Sequence, residues 1–183
     1  MAELEKMLSG KLYDPNVDYL VNARLKAKSL CYKYNNLKPD EIEKKKDIIT
    51  NLFGKVSDNF LIEPNFFCDY GFNIKIGKNF YSNHNLVILD PAEVLFGDNV
   101  FIGPNCGFYT AEHPINYKER NKGLEFAKPI KVGNNVWFGG NVTVIGGVTI
   151  GDNVTIGAGS VIVKDLPSNV LAVGNPCKVI KEI

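Results

Sequence analysis

The sequence predicts a mainly β fold, a parallel β-helix built from six-residue repeats and preceded by an α-helical segment. The first observation is a frame of hexads that open on an apolar residue, as in VGNNVW at 132–137 and IGDNVT at 150–155. The second is an uneven composition, because residues 1–55 hold 2 of the 17 glycines but 19 of the 41 charged side chains. A fixed short period is typical of a solenoid, in which each coil buries its apolar side chains against its neighbours.

Residues 1–55 are predicted to form the N-terminal helical segment. A short amphipathic helix is expected over residues 2–9, before Gly10. Asp14-Pro15 has the pattern of an N-cap followed by proline at the first helical position. Apolar residues then recur at helical spacing, namely Val17, Leu20, Val21, Leu25 and Leu30. A further helix is expected after Pro39-Asp40, with Gly54 as its C-terminal cap and with an apolar stripe of Ile42, Ile48, Ile49, Leu52 and Phe53.

Residues 56–113 and 132–167 are predicted to form the coils of the β-helix. Hexad series start at 56, 76 and 96, and again at 132 and 150, so three hexads make one triangular coil. The apolar openers are expected to point inward, while glycine and asparagine relieve the corners, where φ can be positive. Residues 114–131 interrupt the frame and are predicted to form an inserted loop, and residues 168–183 a C-terminal tail.

Charge and cysteine content exclude several classes of protein. The net charge of +1 argues against nucleic-acid binding through a basic face and against a polybasic membrane surface. The four cysteines form no C-x-x-C pair, which argues against a zinc knuckle or a redox motif. The N-terminus has no apolar signal region, and no apolar run is long enough for a membrane helix. We therefore expect a cytoplasmic protein with free thiols.

Several longer segments carry a resemblance to a known family. They include GKLYD at 10–14, EPNFFCDYGFNIKIGKNFYSNHN at 63–85, TAEHP at 110–114, the run from 128 to 167, and VGNPCKVI at 173–180. Together they resemble the maltose/galactoside O-acetyltransferase group of the hexapeptide-repeat acyltransferases. The resemblance implies a left-handed parallel β-helix and a homotrimer with active sites between subunits. It implies acetyl transfer to a sugar hydroxyl such as the 6-OH, with acetyl-CoA as co-substrate and neither a prosthetic group nor a metal.

His113 is the candidate general base. A sugar hydroxyl must lose its proton as it attacks a thioester, and an imidazole with an ordinary pKa of about 6.5 suits that role at neutral pH. Its residue type alone would equally fit a surface loop histidine, and the resemblance of TAEHP places the family's catalytic histidine at His113. Asn83 matches the family's acceptor-site asparagine, which hydrogen-bonds the reacting hydroxyl or the intermediate. The other histidine, His84, is interpreted as a turn residue.

The remaining site assignments also come from the resemblance. The acceptor-binding candidates are Asp14, Arg24, Asp69, Tyr81 and Glu125, of which Glu125 favours the maltose-type branch. Trp137, the single tryptophan, closes a hexad and is therefore expected at a corner. From that place it would fit either a wall for the pantetheine arm or the adenine, or packing between coils or subunits. The Gly140 amide is the oxyanion donor candidate. The full set of coenzyme-binding candidates is Trp137, Gly139, Gly140, Ala158, Gly159, Lys178 and Lys181, and the two lysines would equally fit ordinary surface positions.

Three alternative functions are weighed against this interpretation. An acetyltransferase for another hydroxyl, on an antibiotic or a lipo-oligosaccharide, would share the hexads and the loop. A zinc carbonic anhydrase on the same scaffold needs three histidine ligands, whereas this chain has two histidines. A non-catalytic β-helix would give no reason for His113, Asn83 and Trp137 to occur together.

Overall fold

The chain folds as a three-sided parallel β-solenoid with helices at its N-terminal end, and the structure, a computed structural model, describes residues 2–183. The helices are α1 (Ala2–Leu8), α2 (Asp18–Asn35), α3 (Ile42–Leu52) and the short α4 (Tyr117–Arg120). The strands, in chain order, are β1 (Phe60–Ile62), β2 (Phe66–Cys68), β3 (Ile74–Ile76), β4 (Phe80–Ser82), β5 (Leu86–Leu89), β6 (Val94–Phe96), β7 (Val100–Ile102), β8 (Gly107–Tyr109), β9 (Ala111–Glu112), β10 (Phe126–Ala127), β11 (Ile130–Val132), β12 (Val136–Phe138), β13 (Thr143–Ile145), β14 (Thr149–Ile150), β15 (Val154–Ile156), β16 (Val161–Ile162), β17 (Val170–Val173) and β18 (Lys178–Glu182). The prediction of a mainly β solenoid is confirmed.

The strands form three faces. The first face has the order β1-β4-β7-β12-β15-β17-β18, the second β16-β13-β8-β5-β2 and the third β14-β11-β6-β3. All neighbours are parallel except β17 and β18. On the first face Leu61 pairs with Tyr81 and Tyr81 with Phe101, which is a step of 20 residues, whereas Trp137 pairs with Thr155, a step of 18. These are the coil lengths that the hexad starts predict.

Strand β12 is centred on the last residue of a hexad. In β12, Val136 and Phe138 are fully buried, while Trp137 between them is 57% exposed. The fifth residue of one hexad and the first of the next therefore both point into the solenoid, and the residue between them points out, as strand pleating requires. Trp137 thus lies in the middle of a strand on the outer surface, and its expected place at a corner is wrong.

The solenoid interior is filled by a column of aromatic rings. Phe80, Phe96, Phe108 and Phe138 pack edge to face, with successive ring centroids 5.2, 4.9 and 5.2 Å apart. Edge-to-face packing is a favoured geometry for aromatic pairs. Because these rings come from all three faces, they tie the coils on both sides of the inserted loop into one core.

Asparagine at the fourth position of a hexad and glycine at the second position serve different purposes at the corners. Asn99, Asn135 and Asn153 have φ of 56°, 56° and 55°, so the positive-φ corner positions of these hexads are filled by asparagine. Their side-chain amides form a ladder, with Asn99 donating to Asn135 and Asn135 to Asn153, each at 3.0 Å. The glycine at the second position is required for close approach instead, because a Cβ on Gly97 would lie 2.7 Å from the Gly133 carbonyl oxygen.

The start of α2 corrects the sequence interpretation. The helix begins at Asp18 with Val17 as N-cap, and Asp14 instead begins a turn in which its Oδ1 accepts from the Asn16 amide at 2.9 Å. The expected N-cap at Asp14 is therefore wrong, because Asp14 lies four residues before the first helical residue and its side chain caps a local turn instead. The buried face is also different, since Leu25 is 54% exposed, and the buried residues of α2 are Leu20, Ala27, Cys31 and Tyr34.

The end of α3 differs from expectation as well. Phe53, not Gly54, is the C-cap, in an extended conformation. Gly54 is needed because a Cβ there would collide with the carbonyl group of Phe72 in the first coil.

The cysteines are free, as the sequence predicts, and Cys31 of α2 lies with its Sγ 3.8 Å from that of Cys68. Across residues 2–183, no helix is both long and apolar enough to cross a membrane.

Candidate active site

His113 lies at the corner between the second and third faces, where the inserted segment leaves the coils. It directly follows β9, which pairs antiparallel with β10. The side chain is half exposed, and its Nδ1 lies 3.1 Å from the carbonyl oxygen of Leu124. A carbonyl oxygen can only accept, so Nδ1 carries the hydrogen and Nε2 is left with a free lone pair. The backbone of the inserted segment thereby presents Nε2 as a proton acceptor.

Glu125 joins His113 to the N-terminal segment. Its Oε1 lies 3.9 Å from His113 Nε2, and its Oε2 accepts a 2.8 Å hydrogen bond from the Tyr13 hydroxyl. The backbones of Tyr13 and Glu125 also pair, with N–H···O distances of 2.9 and 3.1 Å. Burial and the hydrogen bond to Glu125 raise the pKa of Tyr13, so its hydroxyl stays protonated and donates. The structure thus brings Glu125 beside His113.

Asp69 and Arg24 lie on the same side of the molecule. Burial raises the pKa of Asp69, the charge of Glu125 raises it further, and Arg24 opposes both effects. Arg24 donates 2.7 Å hydrogen bonds to the Tyr70 hydroxyl and to the Pro15 carbonyl oxygen. Six residues on this side of the molecule are called the His113 group below: Tyr13, Arg24, Asp69, Tyr70, His113 and Glu125.

Asp14 lies at the edge of the His113 group, next to Tyr13. Its side chain accepts from the Asn16 amide, and its own amide donates to Glu3 Oε2 at 2.7 Å. The carboxylate is thus placed by a local turn.

A second set of candidates surrounds the corner between the first and second faces. Tyr81, Asn83, Trp137, Gly139 and Gly140 line an open cavity of about 420 Å³, which is largely apolar. We call these five residues the Asn83 group.

The next coil packs tightly against the two glycines of the Asn83 group. Gly159 donates its amide to the Gly140 carbonyl oxygen at 2.9 Å, and a Cβ on Gly139 would lie 2.6 Å from the Ala158 nitrogen. Lys178 and Lys181 are exposed on β18, which pairs with β17 at the end of the first face. The coenzyme candidates therefore lie along the first face and the corner that follows it.

One chain does not bring His113 and Asn83 together. His113 follows the second face, whereas Asn83 follows β4 of the first face, so they lie at different corners of the triangular cross-section. The expected joint action of Asn83 and His113 on one hydroxyl is therefore not assembled within a single chain.

Sequence reasoning missed three contributors to the His113 group. The Tyr13 hydroxyl reaches Glu125 across 112 residues of sequence, which no local pattern reveals. The Leu124 carbonyl oxygen is only 11 residues from His113, but a backbone oxygen leaves no mark in the sequence. Tyr70 follows Asp69 directly, and its burial could have been inferred only from the fold. Glu112, next to His113, pairs instead with Lys128, at 3.1 Å. The part of the chain that the structure describes contains no group of three or more histidine, cysteine or acidic residues able to hold a metal ion.

Two family models match this chain. Residues 6–57 match the maltose acetyltransferase hexapeptide capping motif, and residues 129–164 match the bacterial transferase hexapeptide model of six repeats. The first match covers the helical segment and the second the coils that follow the inserted segment.

Individual relatives are similar over the full length. The galactoside O-acetyltransferase of Escherichia coli K12 is 45% identical over 183 residues, which is 100% of this chain and 90% of that protein. The solved structure of a maltose O-acetyltransferase from Clostridium difficile 630 has a TM-score of 0.99 and 51% identity, covering 100% of this chain and 98% of that one. A galactoside acetyltransferase solved in complex with coenzyme A has a TM-score of 0.96 and 45% identity, with coverage of 100% and 92%.

Proposed function

The chain belongs to the maltose/galactoside O-acetyltransferase group of the hexapeptide-repeat acyltransferases, and from this membership we propose that it transfers the acetyl group of acetyl-CoA to a sugar hydroxyl with His113 as general base. The observation that carries the role of His113 is the hydrogen bond from its Nδ1 to Leu124, which leaves Nε2 exposed beside Glu125. We propose a primary hydroxyl, such as the 6-OH of glucose, maltose or a galactoside, as the acceptor.

The chemistry needs one base and one thioester. The hydroxyl oxygen attacks the acetyl carbonyl carbon as His113 Nε2 takes the hydroxyl proton. The tetrahedral intermediate collapses with cleavage of the C–S bond, and the imidazolium returns the proton to the departing coenzyme thiolate. Between these two steps the imidazolium carries positive charge, which attracts the Glu125 carboxylate 3.9 Å from Nε2 and the Leu124 carbonyl oxygen 3.1 Å from Nδ1.

The His113 group supplies the polar contacts for a neutral acceptor. Asp69 and Glu125 provide hydrogen-bond acceptors for sugar hydroxyls, and Arg24 provides donors beside them. Asp14 extends this surface from the N-terminal segment. Tyr81 is proposed to contact the acceptor from the Asn83 group.

The Asn83 group supplies the acetyl-CoA side. The Gly140 amide is proposed to donate to the developing oxyanion, and Asn83 to the reacting hydroxyl or the intermediate. Trp137, 57% exposed, offers an aromatic surface to the pantetheine arm or the adenine. Coenzyme contacts are further proposed for Gly139, Ala158 and Gly159, and Lys178 and Lys181 would attract the phosphates as point charges.

The His113 group and the Asn83 group lie at different corners of one chain, which supports an assembly of several copies. We propose a homotrimer in which the His113 group of one copy meets the Asn83 group of the next, because a closed ring of identical contacts would complete every site. The exposed aromatic side chains of Phe101 and Trp137 on the first face, 48% and 57% exposed, support this face as the contact surface. The four cysteines of the chain are free thiols, and we propose the cytoplasm as its working compartment on that basis.

A thiol-release assay with acetyl-CoA tests this function. The acceptor panel consists of glucose, maltose, an isopropyl galactoside, a hydroxylated antibiotic and a lipo-oligosaccharide. We expect turnover with at least one sugar, and a decrease in kcat of roughly 100- to 10,000-fold for His113→Ala. A His113→Ala variant that retains most of the transfer would contradict the general-base role. Turnover with the antibiotic alone would show that the acceptor is the antibiotic and not a sugar.

A further inference from the structure

Asp90 is a buried carboxylate at the corner that also carries the His113 group. It directly follows β5 and has no exposed surface, although it belongs to a corner where the chain turns. Thr110 of the next coil braces this turn on both sides, because its hydroxyl donates to the Leu89 carbonyl oxygen at 2.9 Å and accepts from the Ala92 amide at 3.0 Å. Asp90 is therefore held in a fixed position.

The hydrogen bonds of Asp90 are directed at one short stretch of backbone. Its Oδ1 accepts from the amides of Asp69 and Tyr70, at 3.1 and 2.8 Å. Its backbone carbonyl oxygen accepts from the Asn73 side chain at 2.8 Å. Its Oδ2 is buried without a hydrogen-bond partner. A buried polar atom without a hydrogen-bond partner costs free energy, so packing alone does not explain an aspartate at this position.

The stretch that Asp90 holds carries two members of the His113 group. Asp69 contributes its carboxylate to the proposed acceptor surface. The Tyr70 hydroxyl accepts from Arg24, and Arg24 in turn donates to Pro15 in the N-terminal segment. One carboxylate oxygen thus fixes the backbone from which the acid, the tyrosine and, through it, the guanidinium are placed.

We propose that Asp90 is a positioning residue for the acceptor: by holding the amides of Asp69 and Tyr70, it directs the Asp69 carboxylate and the Tyr70–Arg24 pair toward the sugar. This inference rests on the proposed function. Asp90 does not touch the sugar itself, because it has no exposed surface. Its effect should therefore reach acceptor binding and spare acetyl-CoA binding, which involves the other corner.

The test compares Asp90→Ala, Asp90→Asn and Asp90→Thr in steady-state kinetics, with each substrate varied in turn. Asparagine keeps an oxygen that can accept both amides, so its acceptor KM should stay within about threefold of the wild-type value. Alanine removes the acceptor oxygen, so the acceptor KM should rise about tenfold or more while the acetyl-CoA KM changes less than about twofold. The shorter hydroxyl of threonine should give an intermediate rise, and this variant replaces alanine if alanine prevents folding.

Asp98→Ala is the matched control. The Asp98 Oδ1 also accepts a backbone amide of the preceding coil, that of Lys78 at 2.7 Å, but at the corner between the third and first faces. This control should leave both KM values unchanged.

Three results would overturn the role of Asp90 alone while the wild-type protein transfers acetyl groups. They are an unchanged acceptor KM in Asp90→Ala, an equal rise in both KM values, and an asparagine variant as impaired as alanine. A wild-type protein that transfers nothing to any acceptor would overturn the proposed function together with this role.

Discussion

The hydroxyl of Tyr13 donates a 2.8 Å hydrogen bond to Oε2 of Glu125, whose other oxygen lies 3.9 Å from Nε2 of His113. The N-terminal segment, the inserted segment and the proposed general base are therefore linked through one carboxylate. Because Tyr13 is 1% exposed, the hydroxyl that holds this carboxylate is fixed by the packing around it.

Tyr13→Phe should separate the position of Glu125 from its charge. The variant keeps the buried ring and removes the hydroxyl, so we expect a loss of about 1 kcal/mol in the free energy of unfolding, the usual net value of one hydrogen bond. We also expect a decrease in kcat, because the Glu125 carboxylate is released from its place near His113. Urea unfolding and steady-state kinetics measure the two effects, and a kcat equal to that of the wild type would show that the Tyr13 hydroxyl does not position the carboxylate for catalysis.

Glu125→Gln should reveal the contribution of the charge. Glutamine retains an oxygen for the Tyr13 hydroxyl but cannot stabilise the imidazolium, so kcat should fall about fivefold, a modest effect because His113 is half exposed. Glu112→Gln is the control, since Glu112 pairs with Lys128 instead. Equal losses in kcat for the two variants would argue against a specific Glu125–His113 interaction.

The hexad frame predicted the coil lengths and the inward-pointing apolar openers because both depend on a local period. Trp137 was misplaced because the frame was counted from the apolar opener Phe138, whereas strand β12 begins two residues earlier, at Val136. The Asp14-Pro15 pattern predicted a cap that the chain uses as a turn, because Asp14 bonds to Asn16 before the helix starts. The Tyr13–Glu125 contact was missed because it joins distant segments, and only the fold brings them together.

Asp90 should make stability depend on pH. Burial raises its pKa from the usual value near 3.9 to about 7, and the charge of Asp69 also raises it. The folded state therefore binds more protons than the unfolded state between about pH 4 and 7, so this contribution to stability is complete at low pH and is lost as the pH rises through 7.

Asp90→Asn tests this linkage because the amide does not titrate. The free energy of unfolding of the variant minus that of the wild type should be larger at pH 8 than at pH 5, by an amount on the order of 1 kcal/mol or more. Urea unfolding at the two pH values measures the difference. A constant difference between the variant and the wild type would show that Asp90 is ionised across the whole range.

A mixing experiment tests whether each active site is shared between copies. His113→Ala destroys the base and leaves the Asn83 corner intact, and Asn83→Ala does the reverse. If neighbouring copies contribute one corner each, subunits mixed in equal amounts and assembled together should recover up to about a quarter of the wild-type activity, since half of the contacts supply an intact His113 and half of those meet an intact Asn83. Each variant alone is the control and should show little activity. If both corners came from the same chain, every chain would carry one defect, and the mixture would be no more active than its components.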